Sequence, residues 1–173
     1  MTYCSKTHRL FVCDTGNSQV QIFSLKISPD EESSTGNWCI GKIGGEGAGL
    51  GGLKSPSGVA ISSQNQDIAV CDPGNNCVQF YNLNGIFLSR LGGPNQNVRS
   101  KSDIKLSLNS PSHAAFEPEK NLLYISDTKN NRIIIFDRKS NRLVRKIESS
   151  PAFQLINPKG LAFDQANNLI IVN

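Results

Sequence analysis

Apolar residues in this chain come in runs of at most four, broken by Asp, Asn, Gly, Ser or Pro. No stretch keeps the 3.6-residue spacing of an amphipathic helix, so the pattern predicts short strands joined by turns. Three segments repeat one another: LFVCDTGNSQVQIF (10–23), IAVCDPGNNCVQFY (68–81) and LYISDTKNNRIIIF (123–136). Each is an apolar run, an Asp, two spacers, an Asn, two more residues and a second apolar run. Around the middle copy, strands are predicted at 59–62, 68–71, 78–81 and 86–91. Asp72-Pro73-Gly74-Asn75 is turn chemistry, because Pro presets φ while Gly and Asn tolerate positive φ. Asn82-Leu83-Asn84-Gly85 makes the next turn. Four antiparallel strands linked by hairpins and repeated along a chain make a propeller blade.

A second signal precedes the later units. Pro56 lies 16 residues before Asp72, and Pro111 lies 16 residues before Asp127. By the same spacing Pro158 places the next Asp at position 174, just after the apolar run 169–172. The prolines are 55 and 47 residues apart, and one blade takes about 40–50. Asp-x-Gly-Asn-x-x-Val/Ile with an upstream Pro-x-Gly resembles the NHL repeat. The best matches are Pro56-Ser57-Gly58, Asp72-Pro73-Gly74-Asn75 and Pro158-Lys159-Gly160, and 43–60 resembles the linker between NHL blades. The family usually has Arg two residues after the loop Asn. Arg132 keeps it, while Gln19 and Cys77 replace it. Lys129 replaces the loop Gly of the third unit, and His113 stands where its Pro-x-Gly would have Gly.

The expected fold is therefore all-β: a propeller of four-stranded antiparallel blades, with about three and a half blades present in an incomplete ring. Blade 1 is expected at about 1–45, a linker at 46–58, blade 2 at 59–92, a loop at 93–112, blade 3 at 113–147 and the start of blade 4 at 161–173. NHL propellers resemble the six-bladed kind, so the remaining blades are expected from a longer chain. A four-bladed ring is the alternative, against which stand the missing outer strands of the last blade.

Charge adds an asymmetry. The net charge of the 173 residues is +4, but 97–147 holds eleven Lys and Arg against five Asp and Glu. A basic half invites phosphates or acidic partners; equally, Lys and Arg on edge strands discourage aggregation. The short apolar runs are inconsistent with a membrane helix, which needs about 20 residues, and 1–10 lacks the apolar region of a signal peptide. The five cysteines fit no zinc spacing, and no Asn-x-Ser/Thr sequon occurs. Reduced thiols and a cytoplasmic chain are expected, with a Cys71–Cys77 bridge open if the protein is secreted.

Candidate chemistry is sparse. Gly47-Ala48-Gly49-Leu50-Gly51-Gly52 satisfies GxGxxG, but a strand rather than the required helix is predicted to follow, so a flexible linker is expected. Asp14, Asp72 and Asp127, with Asn17, Asn75 and Asn130, read as structural turn residues whose carboxylates accept loop N–H groups. His8 and His113 are too few for a metal centre. Cys13 and Cys71 occupy the place of Ser126, a small packing slot rather than a nucleophile. No catalytic residue, metal or cofactor is expected. The loops joining second to third strands, and those joining blades, share one face of a propeller. On it fall Lys54, Arg99, Lys101, Lys129, Asn130, Asn131, Arg132 and Lys159, the expected partner-binding set.

The expected function is a non-catalytic interaction scaffold for protein partners. The NHL resemblance implies the substrate-recruiting part of a RING-type ubiquitin ligase. It also implies two alternatives: single-stranded RNA binding through the basic loops, or part of a metal-dependent propeller enzyme of the amidating-lyase or lactonase kind.

Overall fold

The computed structural model describes residues 1–26, 38–93 and 106–173. Among the described residues, fourteen strands form four antiparallel sheets in chain order. The first holds β1 (Thr2–Cys4), β2 (Arg9–Asp14), β3 (Gln19–Ser24) and β4 (Cys39–Gly44). The second holds β5 (Gly58–Ile61), β6 (Ile68–Asp72), β7 (Cys77–Tyr81) and β8 (Phe87–Gly92). The third holds β9 (Pro111–Phe116), β10 (Leu122–Asp127), β11 (Arg132–Asp137) and β12 (Arg142–Glu148), and the fourth only β13 (Leu161–Phe163) and β14 (Leu169–Ile171). β9 takes in Pro111 and Ser112, which the sequence places in the preceding loop. Each sheet pairs its strands in sequence order, so each is a meander, and the ring of sheets is not closed. Among the described residues no helix is long and apolar enough to cross a membrane.

The sheets stack face to face, and the period of two along each strand decides what fills each gap. Along β6, Ile68 and Val70 face the first sheet, while Ala69 and Cys71 face the third. Along β10, Leu123 and Ile125 face the second sheet, while Tyr124 faces the fourth. Covered on both faces, β6 and β7 are buried at every position, which is why Ile68 to Cys71 reads as an unbroken apolar run, while β7 carries the buried Gln79 among its apolar residues. The gap between the second and third sheets is closed at its outer end by Arg138. Its guanidinium lies 4.4 Å from the centre of the Phe80 ring, and its Nε is 2.9 Å from Asp67 of the second sheet.

Three outer strands share one irregularity. β4, β8 and β12 each carry a bulge opposite the residues eight and nine places after the turn Asp. The extra residues are Ile40, Leu88 and Val144, all exposed. A bulge bends an outer strand and interrupts its free edge.

The glycine-rich stretch before β5 departs from the flexible linker expected of it. Gly47 N–H donates to the Leu53 carbonyl at 3.0 Å and Leu53 N–H to that of Gly45 at 2.8 Å. Leu53 is fully buried in the gap between the first two sheets. Gly44, at φ +81°, passes so close that a Cβ there would collide with the Leu53 side chain. One apolar anchor in a run of glycines is enough to order the loop.

The inner strands meet closely at Gly58. A Cβ there would lie 2.7 Å from the Ser112 carbonyl oxygen and 2.8 Å from the His113 Cα. Both are backbone atoms of β9 and neither can swing away, so Gly58→Val should destabilise the chain by about 2 kcal/mol or more through overpacking. Denaturant unfolding checks this; an unchanged midpoint would show that the inner strands are free to separate.

Candidate functional site: the clasped rim

The repeated Asp closes β2, β6 and β10 and is followed by a single 3-10 turn: Thr15–Asn17, Pro73–Asn75 and Thr128–Asn130. Each turn ends on a left-handed residue, Ser18, Asn76 or Asn131, at φ 51–52°. That reversal starts the third strand, and Asn tolerates it.

In the second sheet, Asp72 Oδ1 accepts the backbone N–H of Lys54 at 2.9 Å, and Gly74 N–H donates to the Lys54 carbonyl at 3.0 Å. The same pair of bonds recurs in the third sheet. Asn109 N–H donates to Asp127 Oδ1 at 2.7 Å, and Lys129 N–H donates to the Asn109 carbonyl at 3.1 Å. In both cases the clasped residue lies 18 positions before the Asp, on the linker entering the blade. The turn aspartates thus bind linker N–H groups, where the sequence places loop N–H groups.

The second carboxylate oxygen is satisfied in two ways. Asn75 Nδ2 reaches Asp72 Oδ2 at 2.7 Å, and Asn130 Nδ2 reaches Asp127 Oδ2 at 2.8 Å. Beside Asp127, Arg132 Nε lies at 2.7 Å, and its Nη2 donates to the Ser107 carbonyl at 2.9 Å. Asp72 has Cys77 where that Arg would be. Gln79, two residues further on, donates to its Oδ2 at 3.2 Å instead. Gln79 also donates to the Gly52 carbonyl and accepts the Gly51 N–H at 3.0 Å, so it holds the glycine linker as well. In the first sheet Gln19 and Gln21 both donate to Asp14 Oδ2, at 3.0 and 2.6 Å.

The same turns reach forward to the next blade. Thr15 Oγ1 donates to the Pro56 carbonyl at 2.7 Å, and Thr128 Oγ1 to that of Pro158 at 2.8 Å. Asn76 Oδ1 accepts the Ser110 N–H, and Asn131 Oδ1 the Asn157 N–H, both at 2.8 Å.

Electrostatics follows from these partners. The amides of Gln19, Asn17 and Gln21 hold the Asp14 carboxyl down at about 2. Burial pushes Asp72 up, against the pull of Asn75, Lys54 and Gln79. Burial also raises the Cys13 thiol to about 11 and Cys77 to about 12, and it raises Cys71 strongly. These thiols are protonated at neutral pH and poor nucleophiles. All five cysteines are free, Cys71 and Cys77 included. His8 bonds its Nδ1 to the Tyr3 hydroxyl at 2.9 Å, and burial lowers His113. Among the described residues no three His, Cys, Asp or Glu side chains gather where a metal could sit.

Of the residues expected to bind a partner, Arg99 and Lys101 lie outside the described residues. Asn130, Asn131 and Arg132 are engaged in the clasps. Lys54, Lys129 and Lys159 are exposed on the same rim, since turns and linkers there are bonded to one another. The sequence reading missed Gln21 and Gln79. Their signal is a Gln inside an apolar strand, seven residues after the Asp, in the two units that lack the Arg.

Residues 53–81 match the family model of the NHL repeat. They span the clasped Lys54, Asp72 with its turn, and Gln79. The chain has a β-propeller fold, and its residues 53–81 are similar to an NHL repeat. Solved structures agree in fold. Hydrazine synthase of Kuenenia stuttgartiensis superposes with a TM-score of 0.65 at 14% identity, over 95% of this chain and 38% of that one. A streptogramin B lyase gives 0.64 at 15%, over 97% and 45%. The WD40 repeats of RRP9 give 0.62 at 12%, over 87% and 38%. The chain thus spans less than half the length of each, and the likeness is one of fold. No curated protein matches the sequence.

Two predictions come from the clasps. Gln79→Leu leaves the buried Asp72 carboxylate short of a donor and frees the glycine linker, a loss of about 2 kcal/mol in denaturant unfolding. Asp14 has its folded pKa below the unfolded value, so its stabilisation is complete above pH 4 and disappears as the pH falls through about 2. The difference in melting temperature between the wild type and Asp14→Ala should therefore shrink over that acid range; a gap constant with pH would show that the charge contributes nothing.

Proposed function

We propose that the protein is a non-catalytic interaction scaffold, and that its rim of turns and linkers binds an acidic segment of a protein partner. The observation that supports this reading is the division of labour on that rim. Asp, Gln and Arg side chains are bonded into the clasps, while the cations left exposed beside them are lysines: Lys54, Lys129 and Lys159. A rigid frame that projects cations without an acid–base pair or a metal cluster is suited to binding. The RING-type ubiquitin ligase is the specific setting that the NHL resemblance implies, with the propeller choosing the substrate for a catalytic module elsewhere in the chain.

A protein ligand is favoured over single-stranded RNA because RNA binders of this kind stack successive bases on exposed aromatic rings, and among the described residues the exposed rings are Tyr3, Trp38 and Phe153, far apart in the chain, while Phe80 and Phe136 stack on each other in the core, 6.2 Å apart. Peptides selected by display against the full chain should be acidic. The variant Lys54→Glu/Lys129→Glu/Lys159→Glu should bind them at least about tenfold more weakly, with its melting temperature unchanged. Tight binding of oligouridine that weakens steeply with salt would replace this reading with RNA recognition. Metal bound stoichiometrically to the purified protein would replace it with the enzyme reading.

A further inference from the structure

The outer hairpin of the third sheet, β11 to β12, is unlike its counterparts. β12 is seven residues long and lies at the edge of its sheet. Lys139 in the turn and Arg142, Arg145 and Lys146 on the strand are exposed, and among the described residues none lies within ion-pair distance of a carboxylate. The corresponding strand β4 exposes one cation, Lys42. On β8 the single cation, Arg90, is half-buried and donates to the Ala48 carbonyl. Protection of a free edge would be needed on all three strands, and all three already carry the same bulge. The cations of β12 are additional to that device.

Their arrangement selects among anionic ligands. Arg145 pairs across from Ile135 and Lys146 from Ile134, so the two project from opposite faces of the sheet. A membrane surface or a nucleic-acid backbone approaching one face meets only part of the charge. An extended polypeptide lying along the edge has side chains alternating to both faces and meets all of it. We infer that residues 142–148 are a docking edge for an acidic, extended segment of a protein partner, which lies along β12 on both sides of the bulge at Val144. Backbone pairing holds the segment, and its carboxylates oppose Arg142, Arg145 and Lys146 as cross-strand pairs. This edge is separate from the lysines of the turn-and-linker rim.

The experiment is fluorescence anisotropy of labelled deca-glutamate with the full chain carrying Lys54→Glu/Lys129→Glu/Lys159→Glu, so that the rim does not contribute. In that background Arg142→Ser/Arg145→Ser/Lys146→Ser should weaken binding about tenfold, while Lys42→Ser, which removes the exposed cation of β4, leaves it unchanged. Deca-glutamate N-methylated at alternate residues keeps its charge but loses strand pairing, and it should bind as weakly as the triple Ser variant reveals. Equal binding by the N-methylated peptide, or an equal loss in Lys42→Ser, overturns the inference. Should the triple variant unfold, as circular dichroism would show, Arg145→Glu alone gives the same reading: retained affinity refutes the docking edge.

Discussion

The carboxylate that accepts a backbone N–H from 18 residues upstream is the bond on which the rest of this fold depends. Stacked sheets are joined by side-chain packing, which is non-directional and fixes neither the rotation of a blade nor the path of the chain between blades. Asp72 and Asp127 supply the missing direction. Each takes the linker N–H on one oxygen and side-chain donors on the other, while the turn returns an N–H to the same linker residue. Asn in that place would turn an NH2 group toward donors. Charge-assisted bonds of this kind contribute about 1.5–3 kcal/mol each, so a few of them can fix a geometry that apolar contacts leave loose.

A buried carboxylate needs its second oxygen satisfied, and the chain meets that need with different residues. Arg132 does so by an ion pair, while Gln79 and Gln21 do so with neutral amides from a position two residues later. The neutral solution has a consequence visible in Asp72. With no cation among its bonded partners, burial pushes its carboxyl up even while three donors pull it down. Asp14, more open and held by three amides, goes the other way. The choice between Arg and Gln also changes what the clasp holds. Arg132 reaches the carbonyl of Ser107, whereas Gln79 grips both Gly51 and Gly52. The glycine linker is held on two sides, by that amide and by the buried Leu53.

Much of this architecture was legible in the residues because it is repeated. Three copies of an Asp-turn-Asn unit between apolar runs place second and third strands directly, and the pairing of β6 with β7 and of β10 with β11 follows from turn length alone. The partners of the aspartates were not legible, because a bond across 18 residues leaves no local pattern. Gln79 was not legible either, since a single polar residue in a strand reads as its solvent face, and here that face is covered by the neighbouring linker. The order of 45–53 was hidden for the opposite reason: glycine composition signals freedom, and one buried Leu removes it. On the rim, sequence placed the charged residues together. It had no means of telling Arg132, which is bound to Asp127, from Lys129, which projects outward three places earlier.

That distinction bears on where function can reside in a repeat protein. Positions that recur from blade to blade recur because the clasp, the turn or the core demands them, and their side chains are already occupied. Binding then falls to exposed positions where the copies differ. In the second turn Gly74 sits so close to Lys54 that a side chain would collide with its carbonyl; in the third turn the same place holds an exposed Lys129. On the outer strands, the residue after the bulge is Gly41, Ser89 or Arg145. The core requires none of these, and the repeat does not fix them. A surface read through its departures from the repeat therefore points to the third blade on both its rim and its edge, because there the scaffold leaves side chains unused and the sequence has filled them with charge.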